Sequence, residues 1–361
     1  DRSGTGARVR SVPRRTPEAR RSATMNGNLY AINAANRALN TLSIDQSQPV
    51  DVYDALDRAG VFLTFGELHG VLGVSLPQLG GVMITTRRPS PVQRYTAAHE
   101  LAHCVLHQRE SMILDDEDKI LGASVLEQEA QAQIFASAFL MPPDLAYATA
   151  DQHDIQPGRS TSVAVGRAAR DMGVSFEATA RRFVDLDRLA PGDIEGLLSG
   201  RSRWRRQELF DIQPTRGAQD VWGVRASTEP AELAVTAGDQ VTIQFPENRT
   251  TGFRWTPLQD TNTQGPEVMT VGDVFRLPAA DHADVIVGQQ GERLISLMPS
   301  EPGSATMKWQ LLRPFDPDTV LALFEAHLAI QPSPRERRRR QILATPLDSP
   351  SPPADLVGGN G

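Results

Sequence analysis

Lysine is almost absent. Of 37 basic side chains, all but Lys119 and Lys308 are arginine. Cysteine is scarcer still: Cys104 stands alone, which excludes an internal disulfide and any zinc site built from several thiolates. No apolar run approaches the ~18–20 residues of a membrane span. The Arg-rich N-terminus lacks the apolar core of a secretory signal. An excess of positive charge is missing as well. The formal net charge of −7 argues against a general nucleic-acid binder. These absences together predict a cytoplasmic protein with no membrane partner and no direct nucleic-acid partner.

What is present allows two or three domains in 361 residues, with 40% hydrophobic and 22% charged residues, as a globular core requires. Charge is unevenly spread. Residues 1–24 carry seven arginines against Asp1 and Glu18, and read as a disordered arm. Residues 333–361, with Arg335 and Arg337 to Arg340 before a Ser/Pro/Gly stretch, cannot bury enough surface to order themselves.

Between these ends the hydrophobic pattern predicts helices over 25–40 and 50–59, short β-branched strands over 61–64 and 82–86, and a helix over 90–107. Ser90, Pro91 and Gln93 read as a capping box with proline in the first turn. Residues 108–124 read as a polar loop. Asp115, Asp116, Glu117 and Asp118 are packed too closely for a calcium loop. A helix over 126–140 stops at Met141-Pro142-Pro143. Two more helical patterns fill 161–199. Residues 200–226 read as a linker or partly docked arm, anchored by Trp204 and Trp222. From 227 to 332 the residues alternate between turns at short intervals, as in an all-β sandwich. The fold class expected is therefore multidomain α+β: a mainly helical domain with a small sheet over 25–199, then an immunoglobulin-like sandwich.

The chemistry concentrates at His99-Glu100-Leu101-Ala102-His103. Residues four apart share a helix face, so both imidazoles can meet one Zn2+. Glu100 then stands where it can take a proton from attacking water. His107 lies about 12 Å along the axis from His99 and cannot share the same ion; it reads as a packing or supporting group. The third ligand must come from a later helix. Glu129 fits, with Gln133 one turn on to hydrogen-bond a ligand imidazole; Glu127 competes from a different face. Cys104 reads as a small core residue. The oxyanion helper stays open among His107, Tyr95 and His153. Strand 82–86 is the candidate edge for pairing an extended substrate.

The stretch from Arg94 to His103, followed by Glu129, Ala132, Gln133, Phe135, Ala136 and Leu140-Met141-Pro142, resembles the ImmA/IrrE family of metallopeptidases over about 25–198. Gln133 departs from the family's usual Asn or Asp. The resemblance implies a helical zincin-like fold with Glu100 as general base and His99, His103 and Glu129 on zinc. It also implies a helix-turn-helix repressor as substrate, in a mobile-element or stress-response circuit.

A second resemblance covers about 227–332. Asn248-Arg249-Thr250-Thr251-Gly252-Phe253, Gly288 to Gly291, and Arg313-Pro314-Phe315 are similar to the three loops of chagasin-type cysteine-protease inhibitors. Arg249 stands where that family has Pro, and Gln290 where it has Gly. The resemblance implies a partner-binding edge for a peptide or a cysteine protease. The expected whole is a zinc endopeptidase with a partner-binding sandwich; a cysteine-protease inhibitor or a non-cutting zinc-binding regulator is the alternative.

Overall fold

The computed structural model describes residues 17–107, 113–116, 127–258, 265–277, 290–332 and 336–337. The expectations for residues 1–16, for nearly all of the tail from 333 and for Gly288 lie outside the described residues. Among the described residues, no helix is long and apolar enough to cross a membrane.

The N-terminal domain is mainly helical with one mixed sheet. Helix α1 (Pro17–Thr41) begins eight residues before the expected start. From Ala31 onward it buries a stripe of Ala31, Ala34, Ala35, Ala38 and Leu39. Small side chains at this spacing let a neighbouring helix approach closely. Helix α2 (Val52–Arg58) is capped by Asp51, whose carboxylate accepts from the amides of Tyr53 and Asp54. Strands β1 (Phe62–Gly66), β2 (Val71–Leu76), β3 (Gly81–Thr85) and, after helix α3 (Ser90–Leu106), β4 (Ile113–Asp116) form a sheet in the order β1-β3-β2-β4. Strand β3 pairs in parallel with β1 and antiparallel with β2, so it is interior. The expectation that it offers an edge to substrate is corrected. The sequence pattern had missed β2, which occupies its second side.

Two more local corrections follow. Strand β4 lies within the expected loop 108–124, paired with β2. The capping box at Ser90 does not form: the helix starts at Ser90 itself with Pro89 as cap, and Gln93 Nε2 donates to the Arg88 carbonyl instead (2.6 Å). Helix α4 (Glu127–Leu140) packs against α1 and α3, followed by α5 (Pro143–Gln152), α6 (Ser162–Met172), α7 (Phe176–Asp185) and α8 (Asp193–Ser199).

Residues 200–226 hold helix α9 (Arg201–Glu208) and strand β5 (Val221–Arg225). Trp204 seats against Gly166 of α6; a Cβ there would fall 2.4 Å from the indole, so only glycine leaves room. At the end of α9, Glu208 is buried between Arg167 (2.8 Å) and Arg170 (3.2 Å) of α6. Arg170 Nη1 also donates to the Val221 carbonyl (2.7 Å), and its guanidinium lies 3.9 Å over the Trp222 ring. The two domains therefore meet through a packed, charge-matched junction.

The C-terminal domain is a β-sandwich. After β5 come β6 (Ala231–Thr236), β7 (Gln240–Glu247), β8 (Arg254–Pro257), β9 (Val268–Arg276), β10 (Gly291–Pro299), β11 (Gly303–Arg313) and β12 (Asp316–Gln331). One sheet runs β5-β7-β10-β9 and the other β6-β12-β11-β8. Phe245, Trp255, Trp309 and Phe324 interlock in the core between them. The opposite face of β7 is buried too: Gln240 and Thr242 bond to Ser296 of β10, and Gln240 Oε1 accepts from the Thr215 amide.

Asp220 beside this junction has its carboxyl pushed up to about 6, mainly by burial, with Arg170 opposing. A carboxyl raised above its unfolded value of ~3.9 favours the protonated fold. Stability is thus lost as pH rises from about 4 to about 6, and the penalty is complete above that window. Asp220→Asn is expected to raise Tm by a few degrees at pH 7.5. The gain should vanish near pH 4, as melting curves at the two pH values will show.

Candidate metal centre

Helices α3 and α4 bring three ligand atoms together. His99 and His103 sit one turn apart on α3, with their Nε2 atoms 3.1 Å from each other. Glu129, in the first turn of α4, places Oε2 3.3 Å from His99 Nε2 and Oε1 3.9 Å from His103 Nε2. Tetrahedral zinc with bonds of about 2.0–2.1 Å separates its ligand atoms by roughly 3.3 Å. The observed spacing meets that requirement, and the three ligand atoms all lie within 4.8 Å of one another, close enough to hold one metal ion. All three are buried, and Glu129 Oε2 makes no hydrogen bond. A buried carboxylate oxygen facing two imidazoles is costly unless a cation joins them. The residues present fit zinc.

Glu127, the competing ligand, is exposed at the start of α4 and accepts from Gln131 Nε2 (3.5 Å). His107 contacts the centre indirectly: its Nδ1 lies 2.8 Å from His103 Nδ1, and its Nε2 3.3 Å from Gln131 Oε1. With His103 Nε2 presented to a metal, Nδ1 carries the proton and donates to His107. His107 then donates from Nε2 to Gln131. The His107 pKa is lowered, first by burial and then by His103, in keeping with a neutral ring. Gln131 escaped the sequence reading because it lies two residues from Glu129, and such pairs do not share a helix face. Gln133 is half-buried and offers its carbonyl to Tyr95 O–H (3.1 Å).

The oxyanion candidates each have other partners here: Tyr95 with Gln133, His107 with His103, and His153 with Asp171 of α6 (2.6 Å). Glu100 is wholly buried on α3. Cys104, one turn on, has its thiol pushed up to about 12 by burial and then by Glu100. The folded chain is expected to resist iodoacetamide at pH 8, about a thousandfold more slowly than a free thiol of pKa ~8.5. Fast labelling without unfolding would contradict this.

In the sandwich, two of the three expected loops converge. Asn248 Oδ1 accepts from the Thr250 amide (3.1 Å) and hydroxyl (2.7 Å), shaping the turn through Arg249–Thr251. Gly252 adopts φ +79°, and a Cβ there would touch the Phe315 ring at 3.5 Å. Arg313 Nε donates to the Thr251 carbonyl (3.2 Å), and its guanidinium covers Phe253 at 4.4 Å. Pro314 and Phe315 are exposed at this edge. Arg249 is held by buried Glu247 (3.4 Å) and stacks 3.8 Å over Phe275. Gly291 lies against that same Phe275, where a Cβ would fall 2.4 Å from the ring. An ion pair and a stacked ring thus brace the turn where the family has proline.

A mainly helical domain with a buried His-His-Glu cluster is thus followed by a sandwich with two converging loops. Family models bear this out in both halves. Residues 63–184 match the IrrE N-terminal-like domain of peptidase family M78, and residues 234–328 match the chagasin family peptidase inhibitor I42. The chain joins an IrrE-like domain to a chagasin-like domain. Among solved structures it is similar to the cysteine protease inhibitor EhICP2 from Entamoeba histolytica, at 23% identity over 31% of this chain and 96% of that one (TM-score 0.26). It is similar to PbICP-C, solved in complex with falcipain-2, at 12% identity over 30% and 98% of the two chains (TM-score 0.21). A Mycobacterium tuberculosis transcriptional regulator aligns at 14% identity over 78% and 80% (TM-score 0.31). The curated proteins contain no match.

Proposed function

We propose that the chain is a cytoplasmic zinc endopeptidase whose substrate is a helix-turn-helix repressor in a mobile-element or stress-response circuit. The observation that carries this is the tetrahedral spacing of His99, His103 and Glu129, with Glu100 beside His99 on the same helix. Zinc, when bound, polarises a carbonyl and lowers the pKa of water. Glu100 takes the proton from the attacking water on its carboxylate and returns it to the leaving amine as the C–N bond breaks. His107 and Gln131 hold the His103 ring in one tautomer. Co-expression with repressors encoded beside the gene, followed by mapping of cut sites, tests the reading. Cleavage must disappear in Glu100→Gln.

A second reading is favoured by the lock of Arg313 onto the Thr251 carbonyl and the Phe253 ring: the sandwich engages a papain-like cysteine protease, and the zinc domain regulates without cutting. Rigid loops lose little entropy on docking. Titrating the full chain into papain tests this. Phe315, 78% exposed, packs little against its own domain. Phe315→Ala is therefore expected to weaken inhibition at least tenfold with Tm unchanged. Full-strength inhibition by that variant removes this edge from the interface.

A further inference from the structure

We propose that Gly73 is a positioning residue that fixes the Glu100 carboxylate. The proposal rests on Glu100 being the proton acceptor of the peptidase reading. Strand β2 crosses α3 at Gly73, and the approach is closer than any side chain allows. A Cβ at position 73 would lie 2.0 Å from Glu100 Oε1, 2.9 Å from its Cδ and 2.7 Å from Thr96 Cγ2.

None of the neighbours has room to give way freely. Thr96 is wholly buried, and its hydroxyl donates to the Val92 carbonyl (2.9 Å), which fixes the methyl toward the strand. Glu100 is wholly buried as well. The backbone of β2 is itself held on both sides, with Gly73 opposite Ile84 of β3 and Asp115 of β4. Gly73 does not adopt a left-handed φ, so alanine is conformationally permitted there. Only space forbids it. Glycine inside a strand weakens the strand and often marks a close approach by another group. Here that group is the carboxylate one residue from ligand His99. The bare backbone of β2 acts as a wall that sets where the carboxylate rests on the turn carrying both histidines.

The test separates contact from catalysis. Thr96→Ser removes the competing methyl and serves as the parent chain. In chelator-treated protein, adding Gly73→Ala is expected to lower Tm by a few degrees. That loss should largely disappear once Glu100→Ala has removed the carboxylate. With zinc restored, Gly73→Ala should keep about one zinc per chain. It should lose about 10²-fold in kcat on the cleaved repressor, with KM unchanged. An equal Tm loss with and without the Glu100 side chain overturns the proposal, as does an unchanged kcat. A coupled Tm loss in a parent chain that cuts no repressor leaves the positioning contact standing and removes the peptidase reading instead.

Discussion

Glu100→Gln is expected to retain about one zinc per chain while losing cleavage by roughly 10²–10⁴-fold. The exchange keeps the side chain's size, so the fully buried site can accept it. What it removes is the ability to take a proton. His99, His103 and Glu129 are left in place, so metal affinity should hold. Metal analysis and repressor cleavage on the same preparation check both halves. Wild-type cleavage by Glu100→Gln would assign the proton transfer elsewhere.

Arg170→Ala is expected to cost about 3 kcal/mol of stability. Arg170 is mostly buried against Glu208, Val221 and Trp222. Its loss leaves the buried Glu208 carboxylate with Arg167 as its cation and the Gly223 amide (3.4 Å) as its other donor, and Arg167 is 45% exposed. It also strips Asp220 of the cation that opposes its burial. Arg170→Lys should recover part of the loss, since it keeps the charge but not the planar guanidinium that lies over the Trp222 ring. Urea denaturation of the three chains measures the effect. A loss under about 0.5 kcal/mol in Arg170→Ala would show that the junction does not depend on this pin.

The parts of this architecture readable from the residues are those with a strong local signal. The His99/His103 spacing needs only helical geometry, and the helix holding them is announced by apolar neighbours on one side. The alternation of the sandwich and the stop at Pro142-Pro143 are equally local. What escaped depended on the third dimension. Strand β2 has a Gly and a Ser within it and no clean alternation, so β3 looked like an edge. The span 200–226 is charged and reads as linker, yet Trp204 finds a notch that exists only because Gly166 faces it. Gln131 supports His107 through a contact between two helices, which no pattern within either helix encodes. Arg249 departs from the family's proline at the inhibitor-like loop. The ring of Phe275, 26 residues on and paired into a neighbouring strand, turns it into a brace.

Metal analysis of the purified chain tests the His-His-Glu centre most directly. About one zinc per chain is expected in the wild type and in Glu100→Gln, and essentially none in His103→Ala or Glu129→Ala. Chelation should lower the Tm of the first two chains only. A wild-type chain without zinc affinity, or a His103→Ala chain that binds zinc as tightly as wild type, would contradict the assignment of His99, His103 and Glu129 as its ligands.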